Sequence, residues 1–470
     1  MKIEQIYTGC LAQGAYYIES KGEVAIIDPL REVQSYIDKA QKNDAKIKYI
    51  FETHFHADFV SGHVTLAERT GAEIVYGPNA STSFKSTIAT DGQVFQLGDI
   101  SITALHTPGH TMESTTYLLK DKDGKDHAIF SGDTLFLGDV GRPDLAQKMG
   151  SLTVEDLAGF LYDSLRNKIM PLADDVIVYP AHGAGSACGK NMMKETVDTL
   201  GNQKAMNYAL RADMTKEEFV KELTDGLLPP PAYFPLNVKL NKEGYVDIDK
   251  VIAKGQHALS PKEFEVAANE TEAVVLDVRT QQDFAKAHIP RSIFIGLNGS
   301  FAPWVGALIK DINQPLLLIV NNNQTEEAII RLSRVGFDNV LGYLKGGIEA
   351  WKESGMETDT VTSVPVSNLK ETLQANADTK IVDVRKASEY LSEHIDTAEN
   401  YPLSEINEHL ASLPQDEDFF IHCAGGYRSI IASSILKSRG IHNIIDVQGG
   451  FDAIKKEEIA TTDFVCPSTL

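Results

Sequence analysis

Four β-rich runs in the first half of this chain lead straight into a histidine or an aspartate. They are FETH ending at His54, LHTPGH ending at His110, FSGD ending at Asp133 and YPAH ending at His182. Such runs read as strands, and loops after strand ends are where a rigid scaffold places chemistry. The β-rich runs up to about residue 240, these four included, are AYYIES, EVAIID, IKYIFET, AEIVYG, ISITALHT, HAIFSGD and DVIVYPAHG. Turn residues and helical segments separate them, among the latter REVQSYIDKAQKND and VTLAERTG.

A single histidine is more often a surface or satisfied core residue than a metal ligand. Here they cluster. His54, His56, Asp58 and His63 share one loop, THFHADFVSGH, and His110, Asp133 and His182 each follow a strand. N and O donors converging from several strands are what a metal site needs. His63 is the exception: it lies where a helix begins and reads as structural.

In order along the chain, THFHAD, TPGH, SGD and YPAH resemble the metallo-β-lactamase superfamily over about 240 residues. The resemblance implies an αβ/βα sandwich with metals at the strand ends. In the two-metal hydrolases of that family, such as glyoxalase II, the loop reads THxHxDH. Transferred here, one metal would take His54, His56 and His110, the other would take Asp58, the residue at 59 and His182, and Asp133 would bridge them. Position 59 is a phenylalanine. Its ring cannot ligate, and its bulk leaves less room for a second hydrated ion, which speaks against two-metal water activation. Two histidines and one carboxylate around one metal remain, the facial set of non-heme Fe(II) oxygenases. The persulfide dioxygenase branch is similar to this. By that resemblance one Fe(II) per chain is held by His54, His110 and Asp133, while His56, Asp58 and His182 lie close by without binding it. Many members of the branch keep a histidine where this chain has Phe59. GDVGRPDL (138–145) resembles the GRxD segment of the same branch. Arg142 there pins an anionic group of the substrate, or else pairs with Asp144 or Asp139. In GAGSACGK (183–190), Cys188 is a redox-sensitive thiol or a bystander.

The second half repeats itself. VVLDVRTQQDFAKAHIP matches KIVDVRKASEYLSEHID, with Asp277 and Asp383 106 residues apart. YLKGGIEAW matches DVQGGFDAI, with Gly346 and Gly449 103 apart. An offset of this length means tandem domains, and strands such as PLLLIV alternating with helices such as TEEAIIRLSRVG predict small α/β domains with parallel sheets. The domains expected are a metallo-β-lactamase-fold domain over 1–240, a linker over 241–257, a first repeat over 258–358, a second over 362–460 and a tail over 461–470. The Pro-rich LPPPAYFPLNVKLNKEGY reads as the strap closing the first domain.

HCAGGYRS (422–429) follows an apolar strand and precedes a helical run. A cysteine there meets a nest of backbone N–H groups and a helix dipole, which stabilise a thiolate. Arg428 adds a positive charge. The motif, with VDVR, EHI and QGGF around it, resembles the rhodanese active loop CxxGxRS. By that resemblance Cys423 carries the sulfane sulfur. Backbone groups of Ala424, Gly425, Gly426, Tyr427, Arg428 and Ser429, with the Arg428 side chain, hold the anion. In the first repeat Asn321 stands at the cysteine position and Glu326 at the arginine position. Asparagine carries no sulfane sulfur and a glutamate repels an anion, so this copy is expected to be silent.

Together the parts resemble bacterial persulfide dioxygenase–sulfurtransferase fusions over nearly all 470 residues. The implied reaction takes a low-molecular-weight thiol persulfide and O₂ to sulfite plus thiol, and passes a second sulfur to sulfite to give thiosulfate. The alternative is a zinc thioester hydrolase of the glyoxalase II type with appended rhodanese domains. The net charge of −22 argues against nucleic acid or an anionic membrane as partner. Four scattered cysteines point to a reducing cytoplasm. The start of the chain is not expected to be a signal peptide, and no apolar run is long enough to span a membrane. A homo-oligomer assembled through the first domain is compatible with the resemblance. Cys10 is placed near the metal pocket and Cys466 in the tail.

Overall fold

The computed structural model describes residues 1–145, 152–227, 229–321 and 323–466. Leu228 at the head of the Pro-rich strap, Asn322 beside Asn321, and the last four residues of the tail lie outside them. The chain forms two compact units. The first comprises Met1–Lys250 together with Lys310–Ile312 and Ile330–Asp338, and the second comprises the rest.

The first unit is built on two six-stranded sheets. One runs, in order, Lys2–Thr8, Gln13–Ser20, Glu23–Ile27, Lys46–Phe51, Glu73–Tyr76 and Thr87–Ile88. The other runs Asp198–Thr199, Ile177–Pro180, Asp126–Gly132, Thr115–Lys120, Ile100–His106 and Val94–Leu97. Strand Gln13–Ser20 shows why it lies inside. Tyr16 and Ile18 enter the core between the sheets, whereas Ala15 and Tyr17 enter the layer beyond. Successive side chains of a strand point to opposite faces, so an unbroken apolar run fills both layers. Helices Gln34–Lys42 and His63–Thr70 bury Tyr36, Ala40 and Leu66 on the first sheet. Helices Val154–Ser164, Leu200–Met206 and Lys216–Thr224 bury Ala158, Leu161, Leu200 and Phe219 on the second. The expected αβ/βα sandwich is the fold. Five strands of this unit were not read from the sequence: Lys2–Thr8, Thr87–Ile88, Val94–Leu97, Thr115–Lys120 and Asp198–Thr199. The first of them is nowhere fully buried, so its apolar signal is weak.

The Pro-rich strap holds a helix, Phe234–Glu243, with Pro235 in its first turn. Proline is suited to that position because the N–H it lacks would be unpaired there anyway. The buried positions of this helix include Asn237 and Asn241, so hydrophobic periodicity could not announce it. The stretch taken as a linker over 241–257 carries a further helix, Ile248–Gly255.

The second unit holds two five-stranded sheets, each parallel throughout. Their orders correspond: Ala258–Leu259, Val340–Leu344, Leu316–Ile319, Val274–Asp277, Ile293–Phe294, and Thr362–Val364, Ile444–Val447, Phe419–His422, Ile381–Asp383, Ala398–Asn400. The DVR triplets serve the same purpose in both. Arg279 donates to Asp277 and to the Ala287 carbonyl, and Arg385 donates to Asp383 and to the Glu393 carbonyl. These buried pairs belong to the shared scaffold, because the repeat without the cysteine keeps them too. Among the described residues no helix is long and apolar enough to cross a membrane.

Candidate functional site

The strand ends do bring the candidate residues together, most of them within a few residues of the strand. Strand Lys46–Phe51 stops three residues before His54, and strand Ile100–His106 stops four before His110. Asp133 directly follows strand Asp126–Gly132, and His182 comes two after Ile177–Pro180. Gly132 allows the close approach. It has φ +55°, and a Cβ there would stand 2.7 Å from the Thr53 side chain.

His54, His110 and Asp133 are buried, with one donor atom of each within 4.8 Å of the others. Their hydrogen bonds fix which nitrogens are bare. Thr53 donates its hydroxyl to Asp28 Oδ2 at 2.8 Å and therefore accepts from His54 Nδ1 at 3.0 Å. His110 Nδ1 donates to the Arg142 carbonyl at 2.7 Å. Both Nε2 atoms then carry lone pairs, 3.8 and 3.4 Å from Asp133 Oδ2. That oxygen is buried and has no hydrogen-bond partner among the described residues. Three unprotonated donors facing one another in a dry site fit a cation. Burial and the adjacent His56 push the His54 imidazole well below its usual range, so it is neutral and able to ligate. Burial disfavours a charged Asp133, yet His182, His54 and His110 hold its carboxyl well below the usual range.

The other loop residues are spoken for differently. His56 Nε2 faces Asp28 Oδ1 at 3.1 Å and Glu52 Oε2 at 3.7 Å, and these three form a candidate donor set apart from that of Asp133. Burial and Asp28 raise the Glu52 carboxyl well above its usual range. The Phe59 ring is fully buried and lies 4.3 Å from the His56 ring. His182 sits between two carboxylates: Nδ1 is 2.8 Å from Asp133 Oδ1, and Nε2 is 2.8 Å from Asp58 Oδ2. Burial opposes charge on this ring, but Asp133 and Asp58 raise it well above its usual range. Cys188 comes close enough to Asp58 and His182 to form a second candidate donor set. Burial pushes its thiol up. His63 opens helix His63–Thr70 and is buried, its ring set edge-on to Tyr76 and Tyr245. The Arg142 guanidinium is clasped by Asp144, with both bonds at 2.6 Å. The sulfur of Cys10 accepts from Arg334 at 3.4 Å.

Three residues that shape this site escaped the sequence reading. Asp28 and Thr53 set the His54 tautomer. EVAIID is itself a strand run ending in an aspartate, so the signal that marked the other four was present there. Asn241 had no such signal. Its amide donates to the carbonyls of His56 and Phe59 at 2.8 Å each and accepts from Ser61 N at 2.9 Å. One side chain thus ties three points of the metal loop. Replacing Asn241 by leucine would leave those groups buried and unpaired. It is expected to destabilise the first unit by about 3 kcal/mol. Urea unfolding followed by intrinsic fluorescence reads this, and an unchanged midpoint would show that the loop holds without the clamp.

The cysteine loop lies in the second unit. Cys423 is buried at the end of strand Phe419–His422, and helix Arg428–Ser438 begins five residues later. Gly426, at φ +90°, donates its N–H to Cys423 Sγ at 3.1 Å. Ser429 Oγ lies 3.7 Å from the same sulfur. The carbonyls of Cys423 and Ala424 accept from Phe451 N and Asp452 N, so the QGGF segment braces the loop. The Tyr427 hydroxyl donates to the Gly296 carbonyl. Arg428 is held in a two-point pair by Glu389, at 2.6 and 2.8 Å. Gly425 stands on the wall of the adjoining cavity. In the first repeat Asn321 and Glu326 occupy the corresponding turn and helix start, and Glu326 accepts from Gln256.

The family profile of the metallo-beta-lactamase superfamily matches residues 8–182. That of the rhodanese-like domain matches residues 260–354 and again 366–457. The cytoplasmic hydroxyacylglutathione hydrolase of Arabidopsis thaliana is 34% identical over 187 residues, covering 39% of this chain and 67% of that protein. The mitochondrial persulfide dioxygenase of Bos taurus is 28% identical over 222 residues, covering 47% of this chain and 78% of that one. A crystal structure of a metallo-beta-lactamase from Staphylococcus aureus subsp. aureus COL aligns with TM-score 0.65 and 29% identity, covering 73% of this chain and 98% of that one. With one sandwich and two parallel-sheet repeats in this order, the chain belongs to the metallo-beta-lactamase superfamily and carries two rhodanese-like domains behind that fold.

Proposed function

We propose that the first unit uses a single iron to oxidise a low-molecular-weight thiol persulfide with O₂, releasing sulfite and thiol. Cys423 then passes a sulfane sulfur to sulfite, giving thiosulfate. The observation that carries this reading is the donor set. His54, His110 and Asp133 converge on one position, while His182 and Asp58 lie against each other and Phe59 supplies no third donor to a second position. Two histidines and one carboxylate leave open positions on an iron, and the metal when bound supplies the O₂ chemistry. The residues of the chain hold and orient. Asp28 through Thr53, and the Arg142 carbonyl, keep Nε2 of His54 and His110 unprotonated. Phe59 and the loop residues His54 and His56 are buried. At the second site, the Gly426 N–H lies on the sulfur of Cys423, where it stabilises a thiolate or a persulfide. The similarity to the Bos taurus persulfide dioxygenase supports this division of labour.

A hydrolase reading has its own support. The Arabidopsis thaliana hydroxyacylglutathione hydrolase is the more identical of the two relatives, and Asp58, His182 and Cys188 form a second donor set. Metal analysis combined with an oxygen electrode separates the two readings. Purified protein given glutathione persulfide is expected to hold one iron per chain, consume O₂ and form sulfite. Two zincs per chain with thioester cleavage and no O₂ uptake would establish the hydrolase instead.

A further inference from the structure

Beside the cysteine loop lies a cavity of about 470 Å³ within the second unit. Gly425 and Gly426 of the live loop form part of its wall, and so does Asp446. A further part of the wall comes from the first repeat, whose helix Gln281–Lys286 lends Gln281, Gln282 and Lys286. A cavity of this size accommodates a small thiol carrier or an oxyanion.

The charges around this space are unevenly committed. Arg428, the residue expected to hold an anion, is neutralised by its two-point pair with Glu389. Asp446 is buried. Its Oδ2 accepts from Ser363 at 2.6 Å, and burial pushes its carboxyl up to about 6. Lys286 is exposed and makes no ion pair with the described residues. It is the only cation among the described lining residues. The chain carries a net charge of −22, so an anionic reactant reaches the cysteine loop only with local help. The silent copy lacks the cysteine and the arginine of the live loop, but it keeps this lysine facing the live one's cavity.

We propose that Lys286, flanked by Gln281 and Gln282, is the anion subsite of the Cys423 cavity, and that the silent repeat serves catalysis by supplying it. The proposal rests on the sulfurtransferase reading above. The ligand is an anionic reactant of sulfur transfer, namely the oxyanion acceptor or the carboxylate of the persulfide's carrier thiol. In acceptor transfer, the sulfur of sulfite forms a bond to the outer sulfur of the Cys423 persulfide. The bond from that outer sulfur to Sγ breaks, its electron pair stays on Sγ, and the thiolate takes a proton from water. Sulfur and charge balance without any external oxidant or reductant.

The test uses the full-length chain and Lys286→Glu, with Lys286→Arg as the charge-keeping control. Lys286 is exposed, so neither change burdens the fold. Thiosulfate formation is measured with sulfite varied at saturating glutathione persulfide, and then with the persulfide varied. Charge reversal is expected to raise KM for one reactant by about tenfold, with kcat within about twofold, and arginine is expected to restore it. A rise for sulfite identifies the bound anion as the acceptor, and a rise for the persulfide identifies it as the carrier. Unchanged KM for both overturns the subsite. If the wild-type chain forms no thiosulfate, the sulfurtransferase reading itself has failed. Calorimetric titration with thiosulfate then decides the subsite alone: weaker binding to Lys286→Glu supports it, and equal binding refutes it.

Discussion

Replacing Cys423 by serine is expected to abolish thiosulfate formation while O₂ consumption on a persulfide continues at close to the wild-type rate. The first half follows from chemistry. A serine hydroxyl forms no persulfide, so the loss should be complete within detection, at least about a thousandfold. The surroundings would change little, because the Gly426 N–H and the Ser429 hydroxyl that meet the sulfur can meet an oxygen as well. The second half follows from the site division, since His54, His110 and Asp133 belong to the first unit and Cys423 to the second. Sulfite should accumulate in place of thiosulfate, and the two ions are separable by monobromobimane derivatisation and chromatography. Loss of O₂ uptake together with thiosulfate would show that both steps share Cys423.

The mirror-image variant is Asp133→Asn. Asparagine keeps the shape and can still meet His182, so the sandwich should fold. It removes the negative charge of the oxygen that faces both bare nitrogens at 3.4 and 3.8 Å. Iron content is expected to fall from about one per chain to a small fraction of that, and O₂ uptake to fall by at least about a hundredfold. Thiosulfate should still form when sulfite is supplied with the persulfide, because that step is proposed to run at Cys423 without the metal. Full iron occupancy in this variant, measured by plasma emission, would remove Asp133 from the ligand set.

Much of this was legible in the sequence for a definite reason. A strand buried on both faces must be an apolar run, and a residue that serves chemistry must interrupt it at its end. FETH, SGD and YPAH therefore announced both the sandwich and its reactive edge. The hundred-residue repeat announced two copies of one parallel fold, since a shared scaffold needs the same DVR pair and the same GG turn in each. The expectation that the first copy is silent rests on the same alignment, in Asn321 and Glu326.

What the sequence left open concerns partners in space. Sequence left Arg142 between an anion of the substrate and a pair with Asp144 or Asp139, and assigned Arg428 to the anion of the cysteine loop. The tertiary structure pairs them with Asp144 and Glu389, because a guanidinium largely withdrawn from water needs a carboxylate at hand. His56 sits in the middle of a ligand motif, yet the fold points its Nε2 toward Asp28 and Glu52. Asn241, in a Pro-rich segment without periodicity, became the clamp of the metal loop. The sequence, through its strand-end motifs, its repeat and the family resemblance they carry, determined which folds the chain adopts and which side chains are capable of reacting. Only packing decided which of them face one another, because hydrogen bonds and charge pairing act over a few ångströms between residues as far as 324 positions apart in the chain.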